Sequence, residues 1–114
     1  MNFILITNIF INIVRYDVFP SEVEEVLHMH PNVKEAVVFG IRINDYQHEI
    51  CAWIIVFREV INTSSEELQD FCSKYLIDYK IPKYIKFVDK FPSSKTGKYL
   101  KNEMEKQYKE ELGL

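Results

Sequence analysis

The fold turns on one stretch of sequence. It is Val33-Lys34-Glu35-Ala36-Val37-Val38-Phe39-Gly40-Ile41-Arg42-Ile43, followed after a polar turn (Asn44 to His48) by Glu49-Ile50-Cys51-Ala52-Trp53-Ile54-Ile55-Val56-Phe57-Arg58. Side chains alternate across an extended chain, so Val37, Phe39, Ile41 and Ile43 share one face of the first run, and Ala36 and Val38 share the other. Both faces are apolar. A strand of that kind belongs to a sheet covered on both sides, because a sheet with one wet face would alternate apolar and polar. The second run is just as apolar and rich in β-branched and aromatic residues, and the short turn pairs it with the first as a hairpin.

Helices are expected on either side of this hairpin. Upstream, Ser21-Glu22-Val23-Glu24 reads as a capping box, with Val23, Val26 and Leu27 on one helical face and Pro31 as the stop. Downstream, Thr63-Ser64-Ser65-Glu66 reads as a second capping box, opening a helix to about Leu76 with Leu68, Phe71, Cys72 and Tyr75 as its stripe. Tyr79-Lys80-Ile81-Pro82 reads as an extended connector, since a residue before proline avoids the helical region. Tyr84 to Asp89 reads as a third strand and Phe91 to Lys98 as a loop. Tyr99 to Leu112 reads as a last helix, with Leu100, Met104, Tyr108 and Leu112 at steps of four. Lys101–Glu105 and Lys106–Glu110 have the i,i+4 spacing of a solvated face. Met1 to Val14 (MNFILITNIFINIV) is Ile-rich, too short to span a bilayer as a helix, and best read as a strand. The fold class is α/β of the α+β type: a small sheet of about three main strands flanked by helices, with an N-terminal hairpin or strand.

Composition narrows the function classes. The chain has 114 residues, 47% hydrophobic and 27% charged, with a formal net charge of −3. That is one domain with one modest core, and too little chain for a separate catalytic domain. The acidic balance and mixed charges argue against a nucleic-acid face or a polybasic membrane patch. Cys51 and Cys72 are too few for a disulfide framework and read as buried free thiols of an intracellular protein. His28 and His30, two residues apart, would not share a helical face, and no Cys/His spacing suggests a metal site.

Pro92-Ser93-Ser94-Lys95-Thr96-Gly97-Lys98 is the segment that carries chemistry. Gly97 permits a sharp turn, Thr96 can hold it with a local hydrogen bond, and Lys98 stands at the tip just before the last helix. A cation so placed suits a phosphate, a carboxylate or both. It is not a phosphate-cradling P-loop, which needs a second glycine and a Ser or Thr after the lysine; here Tyr99 follows.

From about Ile13 onward the sequence resembles the C-terminal domain of the adenylate-forming (AMP-binding) acyl-CoA synthetases. The resemblance rests on four segments in order: Val18-Phe19-Pro20-Ser21-Glu22-Val23-Glu24-Glu25-Val26-Leu27, His30-Pro31-Asn32-Val33-Lys34-Glu35-Ala36-Val37-Val38, Tyr79-Lys80-Ile81-Pro82-Lys83-Tyr84-Ile85, and Gly97-Lys98. Cys51-Ala52-Trp53 and the connector are most like the medium-chain fatty acid:CoA ligases. The family's Gly-rich hairpin before this region is missing, Asp17 stands where Asn is usual, and Gln47-His48 stands where Gly-Glu is common.

The resemblance implies a division into 1–12, an atypical Ile-rich N-terminal segment, and 13–114, the C-terminal domain, with the large N-terminal adenylation domain absent. It implies a lid for a fatty acyl-CoA synthetase, which converts fatty acid, ATP and CoA into acyl-CoA, AMP and pyrophosphate. In such enzymes the small domain swings between two poses. One brings in the adenylation lysine, here Lys98, supported by Thr96 and Gly97. The other turns a segment beside the hinge, here Arg15, Tyr16, Asp17, Val18 and Phe19, toward the thioester-forming site. A charged Lys98 between carboxylate and α-phosphate would offset their repulsion; one well-placed group of this kind lowers a barrier by about 3–4 kcal/mol.

ATP, magnesium and CoA are implied for the complete enzyme, with none held tightly by this chain alone and no resident metal. The implied partners are an adenylation domain, in cis as in relatives or in trans, and fatty acid and CoA through the complete enzyme; no nucleic acid and no transmembrane segment are expected. An intracellular location, mitochondrial or cytoplasmic, follows. Alternatives are a stand-alone interaction or regulatory domain docking on a separate adenylation subunit, a small α/β module touching nucleic acid through its Lys-rich end, and a non-functional gene fragment.

Overall fold

The computed structural model describes residues 11–13, 16–44, 47–60, 62–92 and 101–114, with backbone alone for those between 11 and 17. In chain order the elements are β1 (Ile11–Ile13), β2 (Tyr16–Val18), α1 (Pro20–His28), β3 (Val33–Asn44), β4 (Gln47–Val56), α2 (Ser65–Ser73), β5 (Tyr84–Phe87) and α3 (Lys101–Leu112). The long hairpin is the spine, antiparallel, with Val37 opposite Trp53 and Phe39 opposite Cys51. β5 runs parallel to β4, Cys51 facing Tyr84 and Ile54 facing Phe87. A parallel neighbour needs a crossover, and α2 supplies it. The expected N-terminal hairpin is β1–β2, which joins the sheet where Ile13 meets Gln47. One edge of β4 therefore belongs to β3, while β1 and β5 share the other.

Both faces of the sheet are covered, as the alternation in β3 and β4 requires. Ala36, Val38, Ile50, Ala52 and Ile54 pack with Val23, Val26 and Leu27 of α1 and Leu68 and Cys72 of α2. Val37, Phe39, Ile41, Cys51 and Trp53 pack on the other side with Met104 and Tyr108 of α3. A one-residue slip in register would exchange these two sets, which differ in shape, so the pairing is strongly specified.

Four expectations need correction. Ser21 does not cap α1. The helix starts at Pro20, with Phe19 as an extended N-cap that makes no side-chain bond. Proline has no N–H to satisfy and its φ is preset for a first helical position, so the helix begins before Ser21 could cap it. The second cap is one residue out of frame: Ser64 Oγ accepts from the Glu67 amide at 3.1 Å, and α2 opens at Ser65. Because α2 ends at Ser73, Tyr75 falls beyond it and is 54% exposed; Leu68 and Cys72 are buried as expected. The connector is not wholly extended: Asp78–Lys80 forms a 3-10 turn, and only Ile81, before Pro82, takes the extended conformation. The last helix ends where Gly113 adopts φ +75°, a left-handed stop that suits glycine.

Candidate functional site

Phe91, after β5, and Met104, on α3, belong to the core on the α3 side of the sheet. Both are buried in the same cluster, Met104 completely. Residues 93–100, with Thr96, Gly97 and Lys98 among them, lie outside the described residues.

The helix that follows, α3, is held to the sheet by aromatic packing and charge. Tyr108 meets the Trp53 ring edge-to-face at 6.0 Å and Tyr84 at 6.3 Å, and Trp53 meets Phe39 in the same way at 5.8 Å. Lys86 of β5 places Nζ 4.6 Å from the Trp53 ring centre and 5.6 Å from that of Tyr108, and pairs with Glu111 on the last turn of α3. Burial, helped by Cys51, Glu111 and Tyr84, pushes the Tyr108 hydroxyl up to about 12. Burial also raises the Cys51 thiol, outweighing the opposite pull of Lys86 and Trp53, and pushes Cys72 up to about 11. Both thiols are free and buried, as expected; protonated at neutral pH, they are poor nucleophiles.

A second set of contacts runs along the open edge of β3. Glu24 of α1 accepts the Val38 amide through Oε2 at 2.8 Å, and Glu105 of α3 accepts the Arg42 amide at 3.0 Å. Edge amides left unpaired invite another strand, and two carboxylates from helices on opposite faces occupy these. The same Glu24 oxygen lies 3.7 Å from Lys101 Nζ, in the first turn of α3. The sequence reading paired Lys101 with Glu105 along one helix; in the fold Lys101 reaches across to Glu24. Helical spacing gave no sign of this, because the contact depends on where β3 ends the sheet.

The segment of residues 15–19 is only partly described. Arg15 lies outside the described residues, and Tyr16 and Asp17 form β2 opposite Ile13 and Asn12. Val18 is fully buried in the α1-side core, and Phe19 is half-buried, its carbonyl accepting from Glu22 at 3.1 Å. Elsewhere His30 is buried: its Nδ1 accepts from the Asn32 amide at 3.1 Å and its Nε2 faces Glu67 at 3.0 Å. Among the described residues, no three His, Cys, Asp or Glu side chains gather as a metal site, and no helix is long and apolar enough to cross a membrane.

A family model, "AMP-binding enzyme C-terminal domain", matches residues 22–98. The chain belongs to that family. The match takes in α1 from Glu22 onward, the whole β3–β4 hairpin, α2 and β5, and runs to Lys98. Among curated relatives of this AMP-binding C-terminal domain, the mitochondrial medium-chain acyl-CoA ligase ACSF2 of Danio rerio is 35% identical over 98 residues, covering 86% of this chain and 16% of the relative. A long-chain-fatty-acid–CoA ligase of Yersinia pestis is 36% identical over 89 residues, covering 78% of this chain and 16% of the relative. The chain thus spans about a sixth of the length of these relatives. Among solved structures, the Brucella canis acyl-CoA synthetase superposes with a TM-score of 0.80 at 28% identity, covering 91% of this chain and 20% of that one. A Mycobacterium tuberculosis fatty acyl CoA synthetase gives 0.76 at 28% identity, covering 87% and 19%.

Proposed function

We propose that this domain is the mobile lid of a fatty acyl-CoA synthetase and that Lys98 is its adenylation lysine. What supports the reading is the family match, which runs from Glu22 to Lys98, together with the burial of Phe91 and Met104 in one core. Adenylation brings two anions together, carboxylate and α-phosphate. A cation delivered between them stabilises the charge that builds on the phosphorus, and does so best when it is preorganised. Lys98 acts as that cation in its charged form.

In the complete enzyme an adenylation domain supplies the pocket for ATP, magnesium and the acid, and CoA arrives in the second pose. The unit covers residues 13–114. The segment of Arg15, Tyr16, Asp17, Val18 and Phe19 turns toward the thioester site, with Val18 as its anchor in the core. Thr96 and Gly97 support the turn that carries Lys98. The relatives named for medium-chain acids and for the mitochondrion support a medium-chain substrate and that compartment. By itself the chain binds neither ATP nor octanoate appreciably.

The test is restoration. An adenylation domain from a medium-chain acyl-CoA ligase is stripped of its own lid and fused to the full 114-residue chain. Octanoate-dependent pyrophosphate exchange should rise well above that of the lidless domain. A fusion no better than the lidless domain contradicts the reading.

A further inference from the structure

The two faces of the sheet are covered unequally. On one, α1 and α2 supply Val23, Val26, Leu27, Leu68 and Cys72. These two helices also brace each other where His30, just past α1, meets Glu67 and the Phe71 ring of α2. On the other face the described helix is α3. Of its twelve residues, Met104, Tyr108 and Leu112 are apolar, and Met104 and Tyr108 are buried. Its polar ties to the sheet side include Glu105 to the Arg42 amide and Glu111 to Lys86. Lys86 differs in kind from an ordinary surface pair. Its ammonium lies 4.6 Å from the centre of the Trp53 ring and 5.6 Å from that of Tyr108 while it pairs with Glu111, and its side chain is 25% accessible. One cation on β5 thus grips β4 and α3 together. A cation held over rings and partly out of water binds more strongly than an exposed ion pair.

From this geometry we infer that α3 is a latched strap: it opens from the sheet as a unit while the hairpin, α1, α2 and β5 stay folded, and Lys86 is the latch that keeps it shut. Local opening favours elements with few buried apolar contacts, and α3 has that character. Opening bares Val37, Phe39, Ile41 and Trp53 together with the Cys51 thiol, whereas Cys72, packed with α1 and the other face, stays covered. The two free thiols, one in each core, therefore report the two faces separately. This opening is independent of the lid reading.

The experiment labels the full 114-residue chain with N-ethylmaleimide. Peptide mass spectrometry follows each cysteine, and each rate is divided by that of the denatured chain, so the ratio measures the opening that exposes the thiol. In the unaltered chain Cys51 should label at least about ten-fold faster than Cys72. Lys86→Met should speed Cys51 labelling by about five- to thirty-fold and amide exchange across 104–112 by the same factor. Lys86→Arg keeps the cation and should stay within about two-fold of the unaltered chain. Ser64→Ala removes the cap of α2 on the opposite face; it should speed Cys72 labelling by about five-fold and leave Cys51 unchanged, because the open strap keeps α2 intact. Circular dichroism checks that each variant is folded. Should Lys86→Met not fold, Glu111→Gln takes its place, with an expected rise of about two- to five-fold at Cys51. Equal rates for the two thiols in the unaltered chain, or a Ser64→Ala effect shared by both, would show that α3 leaves the sheet only when the whole domain unfolds, and the strap falls. Cys51 labelling unmoved by both Lys86→Met and Glu111→Gln overturns the latch.

Discussion

Met104→Ala is the substitution that tests most sharply how α3 is mounted. Met104 is fully buried between the sheet and α3, in the cluster that holds Phe91, Trp53 and Tyr108. Truncation removes three heavy atoms; at roughly 0.8 kcal/mol per buried methylene-sized group this is about 2.4 kcal/mol of transfer free energy. A cavity that only partly collapses brings the total to about 3–4 kcal/mol, within the usual range for Met→Ala. Urea denaturation reads it directly. With a slope of about 1.5 kcal/mol/M for a domain of this size, the midpoint should fall by about 2 M. The single tryptophan, Trp53, packs against Tyr108 of α3, so its fluorescence reports on the same contact. Leu68→Ala, equally buried but under α2, should cost a similar amount. The two should differ in function: in the fusion, under conditions where both are folded, Met104→Ala should lower adenylation and Leu68→Ala should not. A midpoint shift below about 0.3 M for Met104→Ala would show that α3 is not held as described.

Two further outcomes follow from the local structure. Ser64→Ala should lose about 1 kcal/mol, because its hydroxyl caps α2, whereas Ser21→Ala should change stability by no more than a few tenths; parallel urea titrations compare them. Alkaline pH should destabilise the fold. The Cys72 thiol ionises near 9.0 when exposed but is pushed up to about 11 when buried, so the folded state holds its proton longer. Its stabilising contribution is complete below pH 9 and is lost as pH rises toward 11, at about 1.4 kcal/mol per pH unit. Tyr108 adds the same sign between 10 and about 12. Urea midpoints measured from pH 8 to pH 11 should decline, and Cys72→Ala should flatten the part between 9 and 11.

Much of the fold was legible because the hairpin leaves little choice. Apolar residues on both faces of Val33 to Ile43 require cover on both sides, and the two clusters split the alternating residues as the pattern demands. Helix ends were less legible. Ser21 has the right chemistry for a cap but follows Pro20, whose fixed φ starts the helix first. Tyr75 fits the helical period but lies past the end of α2, and no period reveals where a helix stops. The sequence points to Lys98 through its loop composition and the family resemblance, and that residue lies outside the described ones. The contacts of Glu24 were not legible, because its partners are 14 and 77 positions away and meet it only once the edge of β3 is in place.

The most direct measurement is the rate of octanoyl-adenylate formation by the fusion with and without Lys98→Ala, beside the rate at which each passes a preformed adenylate to CoA. The account predicts a loss of at least about 100-fold in the first step, the scale of one preorganised electrostatic group, with the second step changed by no more than a few-fold. Equal rates of adenylate formation would contradict it.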